Sequence, residues 1–177
     1  MTEANEYGRA LFLITEEDAT TEKVLADVRM AESVISANPD YVKLLNSPAI
    51  PGDERVGLVD KAFSGLDVNL INLIKILTEK RLVNLFGKVA EFYCSLYDES
   101  RGIVRVEAVS AIPLTKDQSE KLGKKLSAMI SKTVIVRNTV DPSILGGMKL
   151  RYQGIQLDGS VKTKLDKFSQ ALKNTVI

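Results

Sequence analysis

The hydrophobic periodicity of this 177-residue chain changes near residue 101, and this change constrains the fold more than any other feature. Before it, apolar residues recur every three or four positions, as Tyr7, Leu11 and Ile14 do, which is typical of amphipathic helices. After it, apolar and polar residues alternate, so that Val104 and Val106 share one face of a strand. The chain is therefore predicted to be mostly α with a smaller α+β part, with domains at residues 1–101 and 102–177.

The first domain is predicted to be an antiparallel helical bundle. Several apolar stripes follow one another with short connections, and Pro39 and Pro51 stand where helices should begin. The segment 68–77 is apolar almost all round. Such a helix either lies at the centre of a bundle or turns its outer face to a partner.

The second domain is predicted to be a small α+β module. Thr115 and Gln118 have the spacing of a capping box, in which each side chain satisfies a free backbone group at the start of a helix. A further strand is predicted at 133–137, and the apolar residues of segment 161–172 have the spacing of a closing helix.

The segment 145–161 has the pattern of a β-hairpin that runs directly into that closing helix. Gly146 and Gly147 supply backbone freedom for a tight turn, Gly154 marks a second turn, and Asp158 can cap the helix that follows. Glycine-rich sequence before a helix can also hold phosphate, but neither the Walker spacing nor Gly-x-Gly-x-x-Gly occurs here. The structural interpretation is therefore favoured over a phosphate loop.

The composition excludes several classes of enzyme. The chain has no histidine and a single cysteine, Cys94. Zinc sites built on His or several Cys are therefore excluded, as are Ser-His-Asp and Cys-His nucleophilic systems. No pair of carboxylates stands out from the surrounding charge, so a carboxylate-based enzyme ranks last. We predict no catalytic residue, no cofactor and no metal.

The net charge of +1 conceals an asymmetry between the two halves. Residues 1–101 carry 11 Lys and Arg against 17 Asp and Glu, a balance of −6, whereas residues 102–177 carry 13 against 6, a balance of +7. Because complementary potential steers association, this split favours different partners for the two domains. Solvated faces without a partner are the alternative interpretation of these charges.

A nucleic-acid-binding or ribosome-associated adaptor is the alternative function that the basic half suggests. Its lysines cluster on or near two predicted helices, at Lys121, Lys124, Lys125 and Lys132 and at Lys162, Lys164 and Lys167. However, the pI of about 7.7 is modest, and aromatic residues do not interleave with these lysines as a stacking platform requires. Nucleic acid is therefore not the favoured partner.

Two motifs resemble those of the F-type ATP synthase delta subunit family, whose mitochondrial member is the oligomycin-sensitivity-conferring protein. The opening segment Tyr7–Phe12 is similar to that family's first helix, although Gly8 stands where alanine is more usual. The second motif resembles the family's C-terminal signature; it consists of Asp141-Pro142, Leu145-Gly146-Gly147, Asp158-Gly159-Ser160 and Leu165. The two motifs lie at the family's separation, so the resemblance spans nearly the whole chain.

The resemblance implies a stator subunit with a six-helix N-terminal bundle. In that family a groove between the first and fifth helices accepts the N-terminal helix of an alpha subunit, and the C-terminal module joins the C-terminal region of the b subunits. The positions that could line such a groove are Tyr7, Leu11, Ile14, Leu70, Ile74 and Leu77. Each of them could equally be a core residue.

The resemblance further implies one copy in a hetero-oligomer at the cytoplasmic face of the bacterial plasma membrane. The opening segment, with Glu3, Glu6 and Arg9, lacks the pattern of a secretory signal, and no window reaches the length of a membrane span. We therefore expect a peripheral attachment through partner subunits and no direct insertion.

Overall fold

The computed structural model describes residues 2–143, 147–152 and 155–158. Contacts between Cα atoms divide the chain into two compact units, Met1–Asp98 and Glu99–Ile177, here called unit 1 and unit 2. The architecture of a helical bundle followed by a small α+β module confirms the predicted fold class.

Unit 1 is built from α-helices that bury one another's apolar stripes. The described elements are α1 Glu3–Glu17, α2 Thr21–Ala37, α3 Pro39–Leu45, α4 Gly52–Ala62, α5 Val68–Glu79, a short 3-10 helix Val83–Leu85, and α6 Phe86–Ser100. The predicted start of α3 at Pro39 is confirmed, while Pro51 is the N-cap residue of α4 and not its first helical residue. Asp67 caps α5 by accepting a hydrogen bond of 3.0 Å from the Asn69 N–H.

The centre of unit 1 is close-packed around the fifth helix. Leu70, Ile74 and Leu77 of α5 are fully buried, together with Phe86 and Tyr93 of α6. A side chain of this size contributes about 1.5–3 kcal/mol to stability when it leaves water, so α5 is a major source of stability for the bundle. The segment 68–77 was predicted to be either a central bundle helix or a helix that turns its outer face to a partner. Its buried residues favour the central helix.

Unit 2 contains a mixed sheet with one helix packed on it. The described elements are β1 Ile103–Ser110, α7 Lys116–Ile130, β2 Thr133–Val140, β3 Met148–Tyr152 and β4 Ile155–Asp158. The strand order is β2-β1-β3-β4, in which β1 and β2 are parallel and the other pairs are antiparallel. Parallel neighbours need a crossover connection, and α7 supplies it.

The core of unit 2 lies between α7 and one face of the sheet. Val104, Val106 and Ala108 of β1 pack there with Leu126 and Ile130 of α7. Alternate side chains of a strand share a face, so the period-two pattern of β1 determines which residues meet the helix. The strand and the inward face predicted from the alternation after Gly102 are confirmed.

The capping box predicted at the start of α7 is present. Thr115 Oγ accepts a hydrogen bond of 3.2 Å from the Gln118 N–H, and Gln118 Oε1 accepts one of 2.9 Å from the Thr115 N–H. Two backbone donors that the helix cannot satisfy are thereby paired.

The predicted hairpin is present where the structure describes it. Gly147 has φ +82, a left-handed conformation that glycine adopts at little cost, and β3 and β4 follow it as an antiparallel pair. Asp158 is the last residue of β4 and lies opposite Lys149. Gly146 and Ser160 lie outside the described residues, as does the helix that Asp158 was predicted to cap.

Candidate partner-binding site

Helices α1 and α5 lie side by side in opposite directions, and a polar contact marks each end of the seam between them. Near the start of α1, the Lys80 ammonium lies 5.6 Å from the centre of the Tyr7 ring. Beyond its end, the Asn69 side-chain amide donates a hydrogen bond of 3.3 Å to Asp18 Oδ2. Because the first turns of each helix thus meet the C-cap residue of the other, the pair is antiparallel.

Four of the six residues predicted to line a groove here belong to the core. Leu11 is 3% exposed, and Leu70, Ile74 and Leu77 are 0% exposed. These side chains agree with the alternative interpretation, in which each is a core residue of the bundle, and their place in a groove stays a prediction. The sequence left both interpretations open. The physical reason is that α5 is apolar on nearly every face, and periodicity alone does not show which apolar face turns inward.

The other two predicted residues are accessible at this seam. Tyr7 is half-buried, with Lys80 over its ring, and the Ile14 side chain is 45% exposed. Seven residues separate them, which places them on the same face of α1. They form the α1 side of an apolar strip that follows the seam.

The residue that supplies the α5 side of this strip was not predicted from the sequence. Ile76 is 42% exposed and lies seven residues after Asn69 and four before Lys80, so it shares their face of α5. We call Tyr7, Ile14 and Ile76, with the polar residues Asp18, Asn69 and Lys80 at the two ends, the α1–α5 surface. The sequence signal that could have identified Ile76 is its spacing. It lies seven residues after the polar Asn69 and four before Lys80, as residues on one face of a helix do.

The charges of the α1–α5 surface differ between its two ends. The Asp18–Asn69 end carries a carboxylate, whereas the Lys80 end carries an ammonium whose pKa is raised, first by a hydrogen bond with the Tyr7 side chain. Lys80 therefore keeps its positive charge well above neutral pH. An apolar strip with opposite charges at its ends suits a helix that docks in one direction, because its own charges would then meet complementary ends.

The opposite side of α1 is fixed firmly to α6. An ideal Cβ on Gly8 would lie 3.0 Å from the carbonyl oxygen of Val89, so α1 lies so close to α6 that an alanine would require its neighbours to shift by a few tenths of an ångström. Phe12 and Tyr93 form an edge-to-face pair with ring centres 5.8 Å apart, and Thr15 Oγ lies 2.9 Å from the Tyr93 hydroxyl. These contacts hold α1 in place beside α5.

A separate cavity of about 290 Å³ opens between α2, α3, the 3-10 helix and α6. Its walls are mostly apolar and include Ile35, Val42, Val83 and Phe86. The sequence analysis did not single out this cavity, and none of the six predicted groove residues lines it.

Metal ligands, the single thiol and helix length are the remaining features of the described part of the chain that bear on function. Within residues 2–143, 147–152 and 155–158 there is no group of three or more His, Cys, Asp or Glu side chains that could hold a metal ion. Cys94, the single cysteine, is half-buried on α6. No helix in the same ranges combines the length and apolarity needed to cross a membrane.

Comparison with known proteins shows which family has this architecture. The model of the ATP synthase delta (OSCP) subunit family matches residues 4–172, a span that includes both motifs from the sequence analysis. The chain belongs to this family. The resemblance inferred from Tyr7–Phe12 and the glycine hairpin is therefore confirmed.

Curated relatives from the delta subunit family match along nearly their whole length. The ATP synthase subunit delta of Clostridioides difficile (strain 630) is 31% identical over 175 residues, which cover 98% of this chain and 97% of that protein. The subunit delta of Desulfosudis oleivorans (strain DSM 6200 / JCM 39069 / Hxd3) is 33% identical over 169 residues, with 94% and 92% covered. The match thus concerns complete delta subunits and not one shared domain.

A solved structure shows the same fold. A chain of the Toxoplasma gondii mitochondrial ATP synthase hexamer aligns with a TM-score of 0.68 at 19% identity, covering 97% of this delta-family chain and 98% of that one. At this identity the likeness establishes the fold alone.

Proposed function

We propose that this chain is the non-catalytic stator subunit of a proton-translocating F-type ATP synthase, present in one copy, which links the catalytic head to the peripheral stalk. The observation that carries the proposal is the family match over residues 4–172, which includes both units of the chain. A linking subunit needs two separate binding surfaces, and a chain of two compact units can provide one on each.

Unit 1 binds the head, and the α1–α5 surface receives the N-terminal helix of an alpha subunit. Ile14 and Ile76 expose 45% and 42% of their surface beside a seam that is otherwise closed by core residues. Two apolar side chains flanking a seam between antiparallel helices provide the kind of surface on which an amphipathic helix can lay its apolar face. This proposal replaces the buried residues of the sequence-based groove with accessible ones.

Unit 2 binds the C-terminal region of the b subunits, and the two contacts together keep the head from turning with the central shaft. Residues 102–177 carry a balance of +7, counted as 13 Lys and Arg against 6 Asp and Glu. Residues 1–101 carry a balance of −6, so the two partners are expected to differ in charge. The whole assembly lies at the cytoplasmic face of the bacterial plasma membrane, where partner subunits hold this chain.

Restoring a depleted enzyme tests the proposal directly. Membranes stripped of this subunit should regain proton-coupled ATP synthesis when the purified full chain is added back. The same chain should form one complex with an alpha-subunit N-terminal peptide and a soluble C-terminal b fragment, detected by analytical ultracentrifugation. Failure to restore synthesis, together with binding to RNA on a gradient, would instead favour the nucleic-acid adaptor.

Salt dependence tests the role of charge separately. Each partner should bind more weakly as ionic strength rises, because exposed charges more than about 10 Å apart are screened at 0.1 M salt. If neither affinity responds to salt, the charge difference between the two halves has no part in assembly.

A further inference from the structure

The second strand of unit 2 lies at one end of the sheet order and has a partner on one side within the described residues. β2 runs for eight residues, Thr133–Val140, and pairs in parallel with β1 without interruption. An edge strand of this length presents a row of backbone donors and acceptors to its surroundings.

The register of the parallel pair shows which residues of β2 direct their backbone groups outward. The Thr133 N–H donates to Gly102 O at 3.0 Å, and eight residues later the Asp141 N–H donates to Ser110 O at 2.9 Å. In a parallel ladder alternate residues bond to the neighbour, so the odd-numbered residues of β2 face β1. The even-numbered residues therefore direct their N–H and C=O groups away from the sheet.

Helix α7 closes only the beginning of this edge. Ser127 Oγ accepts a hydrogen bond of 2.8 Å from the Val134 N–H, and an ideal Cβ on Gly123 would lie 3.2 Å from Val134 O. The backbone groups of the next outward-facing residues, Val136, Asn138 and Val140, have no such cover within the described part of the chain. Among the described residues, α7 thus covers the first half of the edge, and the second half, here called the open half, has no cover.

Apart from the charged Arg137, the open half lacks the features by which edge strands usually avoid pairing. The segment Thr133–Val140 has no proline, no lysine and no bulge in its register with β1. It is rich in β-branched residues, and Ile135 and Val140 are 41% and 42% exposed. A strand of this composition is a ready template for another extended segment.

The charge beside the open edge indicates an acidic occupant. Arg137 lies exposed in the middle of β2, opposite Glu107 of β1. Glu107 already accepts a hydrogen bond of 2.7 Å from Thr139 Oγ1 and lies 3.6 Å from Arg151. No ion pair of Arg137 is present among the residues that the structure describes, so a carboxylate on an added strand could pair with it.

We propose that the open edge of β2, from Val136 to Val140, binds an extended acidic segment of the b subunit as an added β-strand. The inference rests on the proposed function, which assigns the b subunit to unit 2. Main-chain hydrogen bonds to the three outward-facing residues provide affinity, and a carboxylate facing Arg137 fixes the register.

Residue-resolved amide hydrogen exchange on the full chain, with and without a soluble C-terminal b fragment, tests this inference. The amides of Val136, Asn138 and Val140 should exchange fast in the free chain and slow at least about 10-fold on binding. The amides of Ile135, Arg137 and Thr139 are already bonded to β1 and provide an internal control.

Charge reversal supplies a second, matched measurement. Arg137→Glu should weaken binding of the b fragment about 10-fold, because it places two carboxylates together. Lys125→Glu makes the same change in net charge on an exposed position of α7 and should change affinity less than about 2-fold.

The possible outcomes separate this inference from the proposed function. If the b fragment binds but protects residues other than the β2 edge, the added strand is disproved while the stator function stands. If the fragment does not bind at all, both are overturned. Protection of the β2 edge that grows with chain concentration in the absence of b would instead identify a second copy as the occupant.

Discussion

Arg55 Nη1 donates a hydrogen bond of 2.6 Å to the carbonyl oxygen of Thr78, one residue before the end of α5. The same nitrogen donates one of 2.7 Å to the carbonyl of Leu45, the last residue of α3. A buried guanidinium thus joins the C-terminal ends of two helices, where the helix dipoles favour a positive charge. Arg55 is only 4% exposed, so these carbonyls provide its charge with polar surroundings.

Replacing this arginine should destabilise unit 1. Arg55→Met should lower the free energy of unfolding by about 1–3 kcal/mol, because two charge-assisted hydrogen bonds are lost and buried carbonyls lose a donor. Arg55→Lys should lie between, since lysine keeps the positive charge but its tetrahedral ammonium does not reproduce the planar N–H geometry of Nη1. Urea denaturation followed by circular dichroism measures the change, with the exposed Arg29→Met as control at less than about 0.5 kcal/mol. If Arg55→Met left the free energy of unfolding unchanged, the desolvation cost of the buried charge would offset its hydrogen bonds.

Two glycine-to-alanine substitutions should have opposite effects. At Gly8 a Cβ would meet the backbone oxygen of Val89 at 3.0 Å, so Gly8→Ala should destabilise unit 1 by about 1–3 kcal/mol through overpacking. At Gly57, inside α4, no atom lies within 4 Å of the added Cβ, so Gly57→Ala should stabilise by up to about 1 kcal/mol through helix propensity. Melting temperatures of the two variants provide the comparison. An increase with Gly8→Ala would show that α1 can move away from α6 at little cost.

Two isoleucines on α5 should separate binding from folding. Ile76→Asp should weaken binding of an alpha-subunit N-terminal peptide about 30-fold, because the docked helix would desolvate the new carboxylate, while the bundle stays helical. Ile74 is 0% exposed, so Ile74→Asp should unfold unit 1 instead. Titration calorimetry and circular dichroism measure both effects. Unchanged affinity in a folded Ile76→Asp chain would exclude the α1–α5 surface as the site.

Alkaline pH should weaken unit 1 through a buried tyrosine. Burial raises the pKa of Tyr93 above the ordinary tyrosine value of 10.0, so the folded state favours the neutral phenol. The stability from this group is present below pH 10, where the unfolded tyrosine begins to ionise, and is lost as pH rises toward the folded pKa. Unfolding free energy should therefore decline above pH 10, and Tyr93→Phe should show a shallower decline. Parallel slopes for the two proteins would contradict this role.

Local signals in the sequence were sufficient for much of the fold. The capping box of Thr115 and Gln118 depends on residues only three positions apart. The turn at Gly147 depends on a positive φ that glycine adopts by itself, so neither prediction needs tertiary information. The alternation in β1 likewise showed which of its side chains face the core. The family motifs identified the chain because they lie at a characteristic separation.

The candidate site could not be derived in the same way. Leu70, Ile74 and Ile76 are equally apolar in the sequence, yet the first two are fully buried and the third is exposed. Which of them meets solvent depends on how α5 is rotated between its neighbours. That rotation is set by the summed packing of several helices and by contacts such as Asn69–Asp18.

The sequence by itself determined the order and type of the elements, the change from helix to sheet, and membership of the delta family, because these follow from short-range periodicity and local motifs. Only the tertiary structure decided that the α1–α5 surface includes Tyr7, Ile14 and Ile76, and that the described residues leave the edge of β2 uncovered beyond Val134. The first depends on the contact between α1 and α5, which are distant in the chain. The second depends on how α7 covers the beginning of β2. Such relations depend on packing in three dimensions, which no local pattern encodes.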